Sequence, residues 1–340
     1  MNFIVRPACS EDLSHLEGLA RQFTLLNLPP NKKIISEKIE LSEASFAGKE
    51  SQENSKYLFV VEDQESGWVV GCSQINTQHG SAKNPTYSFQ ISKKEMFSKD
   101  LGVGFIHQVL KLKITTDGPT ELGGLVVSRA YRSRPEKVGK LISLSRFVFI
   151  GMQPDRFKEN LHSEMAPPLT DDGRSEFWEA LGRRFTGMPY PEADKLSLQN
   201  KEFIESLFPK EEIYLALLDP GARLVLGRVS EQTAGALHLL KKIGFKEKNE
   251  VDPFDGGPHL GCKKSDVSLI QSGQTLKLKR REGTNNNFDR FGYIGFGENM
   301  DVRIFQSQFM VENEHIILPK LIIDKLKLSE GQSLYLVGGV

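Results

Sequence analysis

Cysteine is scarce and scattered in these 340 residues: Cys9, Cys72 and Cys262 stand far apart, with no C-x-x-C pair. That spacing argues against a disulfide framework and a zinc site, and for a reducing compartment. A signal core is also missing, because "MNFIVRPACSEDL" turns charged at Arg6. No apolar run approaches the length that crosses a bilayer. Net charge is absent too, since 44 Lys and Arg balance 44 Asp and Glu. A balanced chain has no global basic field to draw nucleic acid or an anionic membrane. The length suffices for a sizeable core and two or three domains. The expectation is a soluble cytoplasmic globular protein.

What is present alternates strand and helix patterns. "NFIVRPA" reads as an edge strand, and Ser10 as the cap of an amphipathic helix carrying Leu13, Leu16 and Leu19. "NKKIISEKIELSEASF" is a second helical pattern. "KYLFVVED" and "WVVGCSQIN" form a hairpin pattern, "TYSFQIS" adds a strand, and "GFIHQVLKLKI" is ambiguous. "ELGGLVV", Glu121 to Val127, is a short apolar strand whose glycines predict a bulge or a close backbone approach. Further on, "SEFWEALGRRF" and "NKEFIESLF" read as helices, while "EEIYLALLD" fits either state. "ARLVLGRV" reads as a strand, "TAGALHLLKKIGF" as a helix ended by Gly244, and "KNEVDPF" as a strand before "DGGP". Strand, turn, helix and Gly-Phe thus recur in a weak internal duplication. The last part reads as short β structure with one helix. The expected fold is α+β, divided at 1–152, 153–267 and a β-rich 268–340.

One stretch concentrates positive charge. "YRSRPEKVGKLISLSRF", Tyr131 to Phe147, sets cationic side chains around one proline and one glycine, then turns apolar. Ser133 and Glu136 have capping-box spacing, with Pro135 in a first turn, so a helix is expected to start near Glu136. A helix N-terminus offers unpaired amides and about half a positive charge, which suits phosphate. Arg134-Pro-Glu-Lys137-Val-Gly139 nearly fits R-x-x-G-x-G/A, and so resembles the pyrophosphate loop of acyl-CoA N-acyltransferases. Lys137 stands where the first glycine is expected, and Arg132 and Lys140 add charge for a diphosphate or a 3′-phosphate. From the loop alone, a solvated cationic helix start is the competing reading. "GVGFIH" lacks the third glycine of a dinucleotide fingerprint, and "RFGYIGFG" has the wrong residue order for an RNA-recognition strand.

Taken together, these segments resemble the arginine N-succinyltransferase family. The likeness runs through "LPPNKKIISEKIELSEASF", "VVGCSQI", "ELGGLVV", "GKLISLSRFVFI", "RFKENLHSEM", "EFWEALGRRF", "KEFIESLFPKEEIY", "LGRV" and "VDPFDGGP". Members are cytoplasmic and transfer succinyl from succinyl-CoA, a co-substrate and not a permanent cofactor, to the α-amino group of arginine. The resemblance implies two acyl-CoA N-acyltransferase-like units, with mixed sheets flanked by helices, plus a small C-terminal β-rich domain. It puts the acyl-CoA contact on Leu125, with Val126 and Val127 pairing with the pantetheine arm. Arg134, Lys137, Gly139 and Lys140 then face the diphosphate. The implied partners are an amino acid and an acyl-CoA, in a homo- or hetero-oligomer, without nucleic acid, membrane or metal.

The chemistry sets further requirements. A bulged strand at Gly123 and Gly124 can offer backbone N–H groups to a thioester oxyanion. An arginine substrate needs carboxylates for its guanidinium. Glu164, Asp194, Asp252 and Asp255 match acidic positions of the family, and Glu164 and Asp255 are the expected substrate contacts. A cap, turn or surface salt bridge is the competing reading for each. The chain departs from the family where a proton-transfer histidine follows G-x-V, because Ser230 stands there. A serine hydroxyl donates or orients but is no base near neutral pH. "FTLLN" replaces a glycine-rich stretch before "LP". His259, in "DGGPHLGC" where the family tends to have a small hydroxyl residue, is the candidate replacement base, and His162 has a similar claim; a surface histidine is the competing reading for each. Cys262 matches a family cysteine and reads as an inert thiol. Two classes stay open. One is a CoA-dependent amine acyltransferase, acting on arginine or another amine. The other is a non-catalytic relative that binds CoA, an amino acid or a partner chain.

Overall fold

Alternating apolar residues build the N-terminal strands of the computed structural model, which describes residues 2–23, 28–281 and 288–339. These strands are β1 (Phe3–Pro7), β2 (Lys56–Asp63), β3 (Trp68–Asn76), β4 (Thr86–Ser98), β5 (Val103–Thr115) and β6 (Thr120–Val127). Helices α1 (Leu13–Ala20), α2 (Lys32–Phe46) and α3 (Val138–Met152) accompany them. The middle of the chain adds β7 (Asn160–Glu164), α4 (Glu176–Ala180), α5 (Gly182–Thr186), α6 (Tyr190–Ser197) and α7 (Glu202–Leu207). It continues through β8 (Ile213–Tyr214), α8 (Pro220–Val225), α9 (Glu231–Lys242), β9 (Lys246–Val251), β10 (Pro258–Lys263) and α10 (Ser268–Gln271). The C-terminal part holds β11 (Gln274–Leu278), β12 (Arg290–Phe296), β13 (Arg303–Glu312), β14 (His315–Ile317), α11 (Lys320–Lys325) and β15 (Ser333–Gly338).

The strands form one mixed sheet, ordered β12-β15-β11-β14-β13-β1-β2-β3-β6-β7-β10-β9-β4-β5-β8. Only β6–β7 and β11–β14 pair parallel among the described residues. The α+β expectation is met, with helices on both faces of a mixed sheet. α3 packs Leu141, Ile142 and Phe149 against Phe59, Ile75 and Leu122. On the opposite face α1 and α2 set Leu16, Ile35 and Ile39 against Val60, Cys72 and Val126. A second core gathers Phe89, Phe177, Trp178 and Phe254 beneath the short helices. A third fills the C-terminal β structure around Phe305, Phe309 and Leu334.

Register then positions polar chemistry. Asn76 lies opposite Glu121, Glu121 opposite His162, and His259 opposite Glu164. Paired residues share a sheet face, so one polar row crosses β3, β6, β7 and β10 on the side away from α3.

Several local expectations are corrected. β1 is no edge strand, since it pairs with both β2 and β13. Cys9, not Ser10, is the N-cap of the first helical turn, because Asp12 reaches back to the Cys9 N–H at 2.9 Å. "GFIHQVLKLKI" is strand β5, paired along its length with β4. "ARLVLGRV" is not a strand. Pro220 opens helix α8, where proline needs no N–H donor, and Leu226–Val229 follows as loop. No helix among the described residues is long and apolar enough to cross a membrane.

Candidate active site

β6 and β7 begin side by side and then part. They pair only at Thr120↔Leu161 and Glu121↔His162, with Ser163 Oγ donating to the Leu122 carbonyl at 2.9 Å just beyond. No ladder pair joins them further along, among the described residues. β6 nevertheless runs on to Val127, held from its other side by Val126↔Cys72 and Val127↔Gly71 of β3. The expected bulge is present: register shifts between Cys72 and Gln74, and Gly124 has φ +59°. A Cβ on Gly124 would meet Gln74 Cβ at 3.2 Å. Leu125 sits on this bulge, half-buried against the core. The result is a backbone edge, Gly123 to Val127, with no ladder partner on its β7 side among the described residues.

The cationic loop lies at the far end of that edge. Helix α3 starts at Val138, two residues later than expected, and the Ser133–Glu136 capping box does not form. The reason is local conformation. Ser133 (φ +60°) and Lys137 (φ +52°) are both left-handed, and Lys137 itself is the N-cap. A left-handed φ explains why the pyrophosphate motif asks for glycine where this chain has Lys137. A Cβ on Gly139 would touch only Val127 Cγ2, at 3.8 Å, so internal packing does not require that glycine. Arg132 Nε donates to the Val127 carbonyl at 3.1 Å, and its guanidinium lies 4.4 Å from the Phe23 ring. Arg134 Nε donates to the Ala130 carbonyl at 2.9 Å and stacks 4.0 Å from the Tyr131 ring. Burial, then Lys242 and Lys137, push the Lys140 ammonium down. Lys242, on α9, is a cation that sequence reading did not bring here.

At the other end, three imidazoles surround one carboxylate. Glu164 Oε1 is 3.2 Å from His79 Nε2, 3.3 Å from His162 Nε2 and 3.4 Å from His259 Nε2. His79 Nδ1 meets Glu121 at 2.9 Å, and Asn76 donates to the same Glu121 oxygen at 2.7 Å. His259 Nδ1 faces Glu250 at 3.8 Å, and Glu250 is held by Lys113 at 2.5 Å and Lys248 at 2.9 Å. Burial opposes charge on His79, but Glu121 and Glu164 on either side raise it to about 10. Burial pushes His162 down, outweighing Glu164. His162 and His259 are each 2% exposed, so neither is a surface histidine. A cavity of about 870 Å³ opens onto all three rings.

Beside this group, the turn between β9 and β10 gathers aspartates. Asp252 Oδ1 accepts from the Phe254 and Asp255 N–H groups at 2.7 and 3.1 Å. Asp255 Oδ1 accepts from Gly257 N at 2.8 Å. These turn bonds are the structural roles weighed above, yet the electrostatics go further. Burial, then the charges of Asp252, Glu164 and Asp194, push Asp255 well above the usual carboxylate range. Burial and Asp252 raise Asp194 to about 7, although Tyr190 donates to it. The cluster is rich in negative charge and poor in counter-ions.

A stability test follows from Asp194. Its folded pKa exceeds the ordinary value, so the native state holds the extra proton between about pH 4 and 7. Stability contributed by this group is therefore lost as pH rises through that window. A tenfold change in proton affinity is worth about 1.4 kcal/mol. Asp194→Asn should raise the thermal midpoint clearly at pH 8 and little at pH 4. Equal effects at both pH values would contradict the assignment.

The structure brings His259, Glu164, Asp252, Asp255 and Asp194 together, with His162 among them. Ser230 stands apart from the imidazoles in its bonds. It caps α9, its N–H donates to the Ala166 carbonyl at 2.9 Å, and Oγ pairs with Thr233 Oγ1 at 2.9 Å. Ala166 is two residues past Glu164, so Ser230 borders the same end of the opening. Cys262 is half-buried, and burial with Asp266 raises its thiol, as an inert group requires. Of "FTLLN", residues 24–27 lie outside the described residues. His79, Glu121, Glu250 and Tyr190 were missed. His-x-Glu at 162 and 164 was a legible signal of one strand face; nothing in "NTQHG" pointed to His79.

Comparison with known proteins is consistent along the chain. The family model for the arginine N-succinyltransferase beta subunit matches residues 3–269. An arginine N-succinyltransferase of Escherichia coli O139:H28 is 32% identical over 338 residues, covering 98% of this chain and 97% of its own. The arginine N-succinyltransferase subunit beta of Pseudomonas aeruginosa is 34% identical over 333 residues, covering 97% and 96%. A solved structure described as arginine/ornithine succinyltransferase subunit AI from Pseudomonas aeruginosa matches with a TM-score of 0.85. It is 28% identical, covering 100% of this chain and 99% of that one.

Proposed function

The chain belongs to the arginine N-succinyltransferase family, and from that premise we propose that it transfers succinyl from succinyl-CoA to the α-amino group of arginine. The observation that carries this reading is the parted β6–β7 edge, with lysines at one end and under-compensated carboxylates at the other. An acyl-CoA arm would pair with the edge at Leu125, Val126 and Val127. Its diphosphate would meet the α3 amides with Arg134, Lys137, Gly139 and Lys140. The acceptor guanidinium would sit against Asp255, Asp252 and Glu164, whose raised or crowded charges a cation relieves.

The reaction needs no covalent enzyme intermediate. The neutral α-amino nitrogen attacks the thioester carbon, a C–N bond forms, the C–S bond breaks, and CoA leaves as the thiolate. The attacking amine gives up a proton, and the thiolate takes one. An α-amino group has a pKa of about 7.7–8.0, so a fraction is already neutral near pH 7. Backbone N–H groups of the bulge at Gly123 and Gly124 suit the oxyanion. We assign Ser230 an orienting hydroxyl at the acceptor end, not a base. We further propose a cytoplasmic enzyme without a permanent cofactor, in keeping with free Cys9, Cys72 and Cys262. An oligomer is supported by the β4–β5 hairpin, which exposes Phe97, Leu101, Phe105 and Ile106.

The test is thiol release from several acyl-CoAs against a panel of amino acids and amines. Succinyl-CoA with arginine should give the highest kcat/KM. Preference for another pair would replace the substrate, and no release with any pair would overturn the reading.

A further inference from the structure

Three of the chain's seven histidines meet at Glu164, although they come from a loop and two different strands. A hydrogen-bond network explains them incompletely. A carboxylate oxygen accommodates two donors readily, yet Glu164 Oε1 faces three imidazole nitrogens. His259 Nε2 and His162 Nδ1, both on buried residues, have no hydrogen-bond partner. Unpaired polar atoms at such depth call for a missing partner.

The separations fit a cation. Nitrogen and oxygen ligands bound at about 2.0–2.2 Å in a tetrahedron lie roughly 3.3–3.5 Å apart. The contacts of Glu164 Oε1 with His79 and His162 are 3.2 and 3.3 Å. Ligand atoms of His79, His162 and Glu164 lie within 4.8 Å of one another, as do those of Glu164, Asp252 and His259. Behind His79 stands an outer carboxylate of the kind that orients a metal-bound imidazole: Glu121 on Nδ1, fixed by Asn76. The cavity beside the rings gives an ion an entry path.

We propose that His79, His162 and Glu164 form a three-ligand binding site, with a fourth position left open, for one divalent transition-metal ion of the zinc class. Imidazole nitrogens with one carboxylate suit zinc better than magnesium or calcium, which prefer all-oxygen sets. The scattered cysteines exclude only a zinc site built on thiolates. Bound there, the ion would brace β7 against the loop after β3, beside the acceptor end of the opening. With an ion bound, Glu164 serves the metal and the acceptor guanidinium is left to Asp252 and Asp255, so the metal site does not depend on which amine is acylated.

The test uses the full chain, stripped with a chelator and titrated with Zn²⁺ against a chromophoric competitor. One equivalent should bind, and Co²⁺ should give the intense visible spectrum of a tetrahedral site. Glu121→Gln should weaken zinc by roughly 10–100-fold, as losing an outer carboxylate does, and His162→Ala by more. His315→Ala, remote from the cluster, should change nothing. If His162→Ala fails to fold, the wild-type Co²⁺ spectrum and His79→Gln carry the test. Absence of competitive zinc binding by wild type would overturn the proposal. So would undiminished binding in both His79→Gln and Glu121→Gln. Because binding is read without substrate, its failure is distinct from any failure of acyl transfer.

Discussion

Replacing Lys137 and Lys140 together by glutamate should weaken CoA binding by about 100-fold or more, while the fold stays intact. A hydrogen bond to a charged group is worth about 1.5–3 kcal/mol, and two are removed. The low end is appropriate because the loop is partly exposed. The substitution also converts a lysine group with Lys242 into a mixed one, and so adds repulsion to the diphosphate. In kinetics the loss should fall on KM for the acyl-CoA. Calorimetry with CoA should agree.

Two further arms separate charge from shape. Affinity of the wild type should fall with ionic strength, and the double variant should lose much of that dependence. Gly139→Ala should leave stability equal or slightly higher, because only Val127 Cγ2 lies near the new methyl. It should still weaken CoA, since a Cβ keeps phosphate from the α3 amides. Unchanged CoA affinity in all variants would move the diphosphate elsewhere.

Much of this end of the site was legible from local sequence. Strand, cationic loop and helix are contiguous, so order alone placed Lys137, Gly139 and Lys140 beside Val127. The capping box failed because Ser133 and Lys137 take left-handed conformations, and spacing cannot express φ. Helix α8 is hard to read because "ARLVLGRV" fits both periods, while the deciding residue, Pro220, precedes it by two positions. The imidazole cluster was the least legible part. His79, His162 and His259 meet only through the lateral order β3-β6-β7-β10, which depends on pairings between distant segments. His259 was found by its place in a motif, but its surroundings were not. The expected boundary at 152 meets the same difficulty. β4 and β5 come early in the chain yet pair with β9 and β8. The three-part division stays a proposal about folding units, because the core around Phe305 includes Ile4 and β13 pairs with β1.

Ser230→His should raise the rate of arginine succinylation near pH 7 by about 10²-fold or more, within the roughly 10²–10⁴-fold that general acid–base help contributes. The position is suited to a base. Ser230 caps α9 beside Ala166, at the acceptor end of the β6–β7 opening. Its hydroxyl bonds Thr233 Oγ1 and no helix N–H, so the exchange removes little capping energy. The positive end of the α9 dipole disfavours an imidazolium, which keeps an introduced imidazole neutral and able to accept a proton. In the wild type the rate should climb with pH as the α-amino group of arginine loses its proton unaided. In the variant that climb should flatten, because the base does at pH 7 what alkali does otherwise. KM for succinyl-CoA should stay unchanged, since Lys137 and Lys140 lie at the far end of β6. An unchanged rate and pH profile in Ser230→His would show that proton removal at this position does not limit turnover. The reason for serine there would then lie in the acceptor pocket, where a small side chain leaves room that histidine fills.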